Sequence, residues 1–511
     1  MGEVMIRFLI LFCSFCVSQV QAQLAAPVKR PNVLLIVADD MNWDTPGCFG
    51  GAAREITPNI DKLASGGMRF WHAYVNVSIC TPSRSVMLTG LYPHNNGAEG
   101  FQRIHPGTST LPAILNEAGY ICGMVGKPLS QEELFRWSVA YRWPGAGDEN
   151  LWGRDPEMYR EFSRKFFTMS TTARQPFFLM ASSHDPHRPF GGGRATRRLQ
   201  ERAQSSRTFK ADEVRLPGLL PDLPGVRQEF AAYCTSVRRL DDMVGTVLVE
   251  LEKARLVDDT IVIFMADHGM PFPGAKFNCY PDSVRSPWII RWPGTIQPGS
   301  IDRTHMISAV DLQSTILEAV GLKPPKSDGR SFLPLLRGEK QDDRDAVFAQ
   351  FHHIHGGDAL PMRSVITRES AYVFNPWSNG KRRFGRLGGG AYHAMKMASR
   401  QDIELTARIK HLELRTVEEF YDLGADPNCL VNLFTADPSN ERLTEEDKKL
   451  LKVLQSKLHD WMVHYRDPAL ESFRNRNLPG ALERFVQSYR TRAANDVQAL
   501  RSYEKGKGYR F

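Results

Sequence analysis

Cysteine is scarce: the 511-residue chain has 8, two of which, Cys13 and Cys16, stand in an apolar stretch at its start. The others are Cys48, Cys80, Cys122, Cys234, Cys279 and Cys429. They are too scattered for a disulfide scaffold, and they contain no Cys-x-x-Cys pair to hold zinc. Long hydrophobic runs are also lacking. The run from Phe8 to Val17 is well short of the roughly 20 residues that a bilayer core requires. With Arg7 ahead of it and Val20-Gln21-Ala22 behind, residues 1–22 read as a cleavable signal peptide. The expected location is therefore secreted or periplasmic, or lysosomal in a eukaryote, with no lasting membrane insertion. Bulky Phe12 and Phe15 before the two leader cysteines argue against a lipid anchor. Excess charge is modest, at +8 from 65 basic and 57 acidic residues. That balance suits an anionic substrate and an ordinary soluble surface equally, so it names no partner, and no nucleic acid is expected. No internal repeat is visible.

What is present is alternation of strand and helix. Asn32-Val-Leu-Leu-Ile-Val-Ala is a continuous apolar run, as in a parallel strand covered on both faces, and it ends in Asp39-Asp40. Carboxylates at such a strand end sit where α/β sheets bind ligands. Thr57-Pro58 predicts a helix, with Thr as its cap, running to Gly66-Gly67. Strand-like runs at Tyr120–Val125 and Pro176–Met180 lead into Gly126-Lys127 and into His184-Asp-Pro-His-Arg-Pro. Between about Gln228 and Leu256, Phe230, Tyr233, Val237, Leu240, Val244, Val247 and Leu251 recur at helical spacing, an amphipathic helix with a core-facing stripe. Ile261–Ala266 is another buried strand, ending in Asp267-His268-Gly269. This pattern predicts an α/β fold with a large, mostly parallel sheet flanked by helices, over residues 30–345. Residues 346–470 change to short mixed segments, with a polar helix at about Thr444–His464, and read as a smaller C-terminal α+β subdomain. Residues 471–511 read as a basic extension, either a solvated tail or packed on the surface.

The chemistry concentrates in Cys80-Thr-Pro-Ser-Arg-Ser-Val-Met-Leu-Thr-Gly. This segment resembles the sulfatase signature Cys-x-Pro-Ser-Arg followed by Leu-Thr-Gly, of the alkaline-phosphatase-like superfamily. The resemblance implies that Cys80 is oxidised to formylglycine by a formylglycine-generating enzyme, whose hydrated aldehyde offers one hydroxyl to attack sulfur and another to expel the product. It further implies that Asp39, Asp40, Cys80, Asp267 and His268 hold one divalent ion, Ca²⁺ or else Mg²⁺, since hard oxygen ligands suit both. Arg84, Lys127, His187 and Lys276 match the family's cationic positions around the sulfate. Positive groups there stabilise charge that develops on the transferring SO₃. His187, with Lys276, would protonate the leaving atom, and His184 and Arg188 would stand behind them.

Further segments fit the same family. Asp311-Leu and Asp328-Gly-Arg-Ser resemble those that end its large domain, and Glu419-Phe-Tyr-Asp-Leu, Asp426-Pro and Asn432-Leu resemble its closing motif. His184-Asp-Pro-His-Arg, Gly269-Met-Pro-Phe-Pro and Pro361-Met-Arg-Ser-Val point to the heparan N-sulfatase branch. The implied substrate is a sulfated carbohydrate carrying a sulfate ester or a sulfamate.

One departure stands out. Sulfatases have Gly-Lys-x-His after the second strand, where this chain has Gly126-Lys127-Pro128-Leu129-Ser130. Either another group, such as His94 or His105, replaces that histidine, or turnover is impaired, and Leu129→His would restore the motif. The sequence leaves two rivals open: phosphate or phosphonate hydrolysis on the same fold, and a carbohydrate-binding pseudoenzyme. The triplet His352, His353 and His355 is expected on a loop, with pocket contact as one role for it.

Overall fold

The computed structural model describes residues 30–127, 129, 132–141, 153–191, 203–354, 359–385, 387–434 and 442–507. The expected leader, Pro128, Ser130 and His355 lie outside them.

Eight strands form the large sheet: β1 (Asn32–Asp39), β2 (Met68–Tyr74), β3 (Ile121–Gly126), β4 (Val139–Tyr141), β5 (Phe177–Pro186), β6 (Thr260–Ala266), β7 (Trp288–Arg291) and β8 (Ser300–Ser308). Their order is β4-β3-β5-β1-β6-β7-β2-β8. Every pairing is parallel except the two made by β7. The central strand β1 is buried along its whole length, which is why it reads as an unbroken apolar run. Alternate residues supply two separate cores. Val33, Leu35, Val37, Ile261, Ile263 and Met265 face one side, while Leu34, Ile36, Ala38, Val262, Phe264 and Ala266 face the other.

The amphipathic helix spans Pro224–Lys253 and lays Phe230, Tyr233, Val237, Leu240, Val244 and Val247 into the second core. Cys80–Thr89 covers the first core and begins at the cysteine itself. The Pro58–Ser65 helix forms as expected, but Thr57 does not cap it. Its hydroxyl is turned to Asp61 and accepts from the Gly47 amide, so the Gly47 loop competes for the capping oxygen.

Four antiparallel strands make the second sheet: β9 (Ala346–His353), β10 (Ala359–Thr367), β11 (Ser370–Phe374) and β12 (Glu418–Asp422), ordered β12-β11-β10-β9. The Glu445–Tyr465 helix buries Leu454, Leu458 and Trp461 there, with Trp461 stacked on Phe348 at 5.3 Å. The last helix, Ala481–Lys507, buries Val486, Tyr489 and Ala493, and Tyr489 donates to Glu99 at 2.7 Å. His352 and His353 are buried on β9 rather than exposed on a loop. His352 bonds Tyr489 and Gln350, and His353 meets Gln102. Among the described residues no helix is long and apolar enough to cross a membrane.

Candidate active site

The site forms where β1, β3, β5 and β6 end. β1 delivers Asp39 and Asp40, and β6 delivers Asp267 and His268. All four are fully buried, with Cys80 at 6 % exposure beside them. The Asp40 amide donates to Asp267 at 3.1 Å, and Ser83 ties the Asp267 carbonyl at 2.6 Å, locking both strand ends to the helix that begins at Cys80. Cys80 Sγ lies 3.3 Å from Asp39 and 3.4 Å from His268 Nε2. The ligand atoms of Asp39, Cys80, Asp267 and His268 fall within 4.8 Å of one another. Asp40 falls outside that tight group, yet its Oδ1 is 3.2 Å from His268 Nε2.

Three cations face the three carboxylates. Arg84 Nε donates to Asp267 at 2.9 Å, Lys127 bonds Asp39, and Lys276 holds both oxygens of Asp40 at 2.8 and 2.7 Å. Burial alone would raise the carboxyl of Asp39, but Lys127, His187 and Arg84 hold it well below the ordinary range. Lys276 is pushed up against its burial, chiefly by Asp40. The Cys80 thiol is pushed up to about 12 by burial and then by Asp39, so it is a poor nucleophile as a thiol. Both terminal nitrogens of Arg84 are buried with no hydrogen-bond acceptor among the described residues. A buried guanidinium with spare donors is a site prepared for an anion.

Lys127 is aimed by Gly126, which sits at φ +91°, where an added Cβ would strike the Ser182 carbonyl and the Tyr159 hydroxyl. His187 leans over Asp40, Nε2 to Oδ2 3.8 Å, while its Nδ1 donates to the Arg188 carbonyl at 2.6 Å. Burial, outweighing the pull of Asp40, holds its pKa below the ordinary value. His184 is half-buried on β5. Burial, followed by Lys127 and Arg154, holds it well below the usual range, and its Nδ1 has no partner among the described residues.

Several placements differ from the sequence reading. His94 is spent on Gln350 and on the Tyr465 carbonyl at 3.0 Å, and His105 packs against Gly97, so neither is turned to Cys80. Leu129 lies in the apolar core at 3 % exposure, so a histidine there would be buried among apolar side chains. Arg188 is a bolt: it bonds Glu229 and the Pro271 carbonyl and lies 4.5 Å from the Phe190 ring.

Sequence reasoning missed the groups that hold the loops carrying His187 and Lys276. Asp185 is clamped by Arg239, at 2.6 and 2.8 Å, and by Arg154, which also donates to the carbonyls of His187 and Arg188. A signal was available, since Arg239 interrupts the apolar face of its helix beside Leu240. Asn278 donates to the Lys276 carbonyl at 2.9 Å and receives Arg415 from the far side. A cavity of about 280 Å³ opens over His187 and Lys276, walled by Pro273, Phe277, Leu387 and Gly388.

Residues 31–322 match the sequence model of the Sulfatase family, and residues 274–373 match that of the N-sulphoglucosamine sulphohydrolase C-terminal region. The chain belongs to the sulfatase family and is a sulfuric ester or sulfamate hydrolase. It is 31% identical to human N-sulphoglucosamine sulphohydrolase over 493 residues, covering 86% of this chain and 93% of that one. With human arylsulfatase A it shares 28% identity, covering 87% and 93%. Its fold matches a protein solved with its substrate D-glucosamine-2-N,6-O-disulfate, at TM-score 0.63 and 21% identity, over 86% of this chain and 99% of that one. It also matches the phosphonate monoester hydrolase of Agrobacterium radiobacter, at TM-score 0.61 and 18% identity, over 85% and 96%. Sulfatases use a metal ion and a formylglycine. The residues present fit both, because buried carboxylate oxygens converge beside a cysteine at a helix start.

Proposed function

We propose that the chain removes sulfate from a sulfated glucosamine of a heparan-like glycan, as a sulfate ester or a sulfamate. The observation that carries this reading is Arg84, buried beside Cys80 with both terminal nitrogens unused, while Lys127 and Lys276 also bear on Cys80. Asp39, Asp40, Asp267, His268 and the side chain at residue 80 would hold one ion. Ca²⁺ is the proposed occupant, since it takes several hard oxygens in irregular geometry. Bound there, the ion supplies Lewis acidity toward a sulfate oxygen, and the formylglycine made from Cys80 by a formylglycine-generating enzyme supplies the attacking hydroxyl.

The remaining work falls to the chain's own residues. Arg84, Lys127 and Lys276 orient the SO₃ group and stabilise the charge that builds on it. His187, with Lys276, gives a proton to the leaving atom of the sugar; its lowered pKa makes that proton easy to release and confines the step to the fraction of His187 that is protonated. His184 takes the role left vacant at the Lys-x-His position: neutral near pH 7 and within the field of Lys127 and Asp39, it accepts the proton whose removal lets sulfate depart. The proposed location is secreted or periplasmic, or lysosomal in a eukaryote.

The test measures sulfate released from N-sulfated and 6-O-sulfated glucosamine, beside phosphate released from a matched phosphate monoester. Sulfate release that is lost in Cys80→Ala supports the reading. Faster phosphate release would move the chain to the phosphohydrolase reading, and binding without any release would make it a pseudoenzyme.

A further inference from the structure

Phe277 is held in a backbone conformation that a bulky residue seldom adopts, with φ at +61°. Its neighbours leave it no choice. On one side the Lys276 carbonyl accepts from Asn278 Nδ2, and Lys276 Nζ is fixed on Asp40. On the other, the Asn278 amide donates to Ser78 Oγ at 2.8 Å, the Ser78 hydroxyl donates to the Asn278 carbonyl at 2.5 Å, and Arg415 binds Asn278 Oδ1. With both flanks pinned, the left-handed residue between them throws its ring into the cavity above His187 and Lys276.

The ring is half-exposed there. One edge packs near Phe351 of the second sheet, centroids 6.2 Å apart at 64°, and Lys276 Nζ lies 5.0 Å from its centroid. Glycine would occupy this φ without cost, so the aromatic side chain is kept against the backbone's preference. Strain of this kind persists where the surroundings over-determine it and clusters where ligands bind.

We infer that Phe277 is the platform for the sugar that carries the sulfate, a specificity-determining residue that sets the ring's tilt while Arg84, Lys127 and Lys276 take the sulfate. This rests on the reading of the chain as a sulfatase of a sulfated sugar. A pyranose has an apolar C–H face, and the negative face of an aromatic ring attracts those hydrogens. The cavity's walls are apolar apart from its basic residues, so Phe277 offers the ring contact while His187 and Lys276 stand beside it.

The experiment compares wild type with Phe277→Gly, Phe277→Leu and Phe277→Tyr. Four quantities are read: thermal midpoint, kcat and KM on glucosamine-2-N-sulfate, and inhibition by inorganic sulfate. Phe277→Gly should melt higher than wild type, because the backbone strain is gone. Its KM should rise about threefold to tenfold, the worth of one aromatic contact, with kcat far less affected. Phe277→Leu should show the same rise in KM without the gain in stability, and Phe277→Tyr should restore the KM. Inhibition by inorganic sulfate, which reads the cations alone, should be unchanged in all three. Unchanged KM in both the Gly and Leu variants would overturn the inference and leave the sulfatase reading intact. Absence of sulfate release from wild type itself would instead overturn the reading on which it rests.

Discussion

Asp40→Ala tests the balance of charge on which the site is built. Lys276 is 7 % exposed, and among the described residues both hydrogen bonds of its ammonium go to Asp40. Removing the carboxylate leaves that ammonium buried and unpaired. Its escape is to lose a proton, which at pH 7 costs about 4.6 kcal/mol from an ordinary pKa of about 10.4. Breaking a buried pair from one side costs about 3–5 kcal/mol in general, so the two routes agree. Relief of repulsion from Asp39 offsets little, because Asp39 ranks below Lys276, His187 and His268 among the charges acting on Asp40. Unfolding entropy of about 2 cal/mol/K per residue over 511 residues makes each kcal/mol worth about 1 °C. The variant should therefore melt about 3–5 °C below wild type when both are scanned calorimetrically in a chelator. Adding Lys276→Met should restore most of the loss, since no charge is then left unpaired. A double variant that melts as low as the single one would refute the reasoning.

On a sulfated sugar, Lys276→Ala should lower kcat/KM by about 10²–10³, and Lys276→Arg, which keeps the charge but not the geometry, by clearly less. Equal losses would give Lys276 another task. His184→Ala should leave a first burst of desulfated product of about one per active site and slow the turnover that follows by about 10² or more, as measured by quenched flow. Unaltered steady turnover would remove His184 from the mechanism. Asp282 is pushed up to about 7 by burial and then by Asp44, so its folded pKa lies above its unfolded one. Unfolding then releases a proton, and stability falls as pH rises from about 4 to about 7. Asp282→Asn should flatten that slope and add up to about 4 kcal/mol at pH 7 in denaturant melts, with nothing gained below pH 4.

Much of the large sheet was legible because its central strands are buried on both faces, so β1 and β6 announce themselves as unbroken apolar runs ending in acids. The long helix was equally plain from its stripe. The second sheet was not, because β10 and β11 are buried at nearly every position, and that burial erases the alternation that marks an antiparallel strand. The final helix was obscured by charge. Among the described residues, only Val486, Tyr489 and Ala493 record its buried face.

At the site, the structure brings together the residues that contiguous motifs singled out: Asp39, Asp40, Cys80, Arg84, Lys127, His187, Asp267, His268 and Lys276. Residues that act through long-range partners were missed. Asp185 meets Arg154 and Arg239 across 31 and 54 residues, spacings with no local pattern. The replacement histidine was sought at His94 and His105, which are near the signature in sequence but occupied elsewhere in space. Nor does a sequence disclose a φ, so Phe277 passed as one more apolar residue.

The most direct test is the mass of the peptide carrying residue 80, taken from material that releases sulfate and made in a host with a formylglycine-generating enzyme. The account predicts an aldehyde in place of the thiol, in a fraction that tracks specific activity from one preparation to another. Full activity in protein whose residue 80 is entirely unmodified cysteine would contradict it.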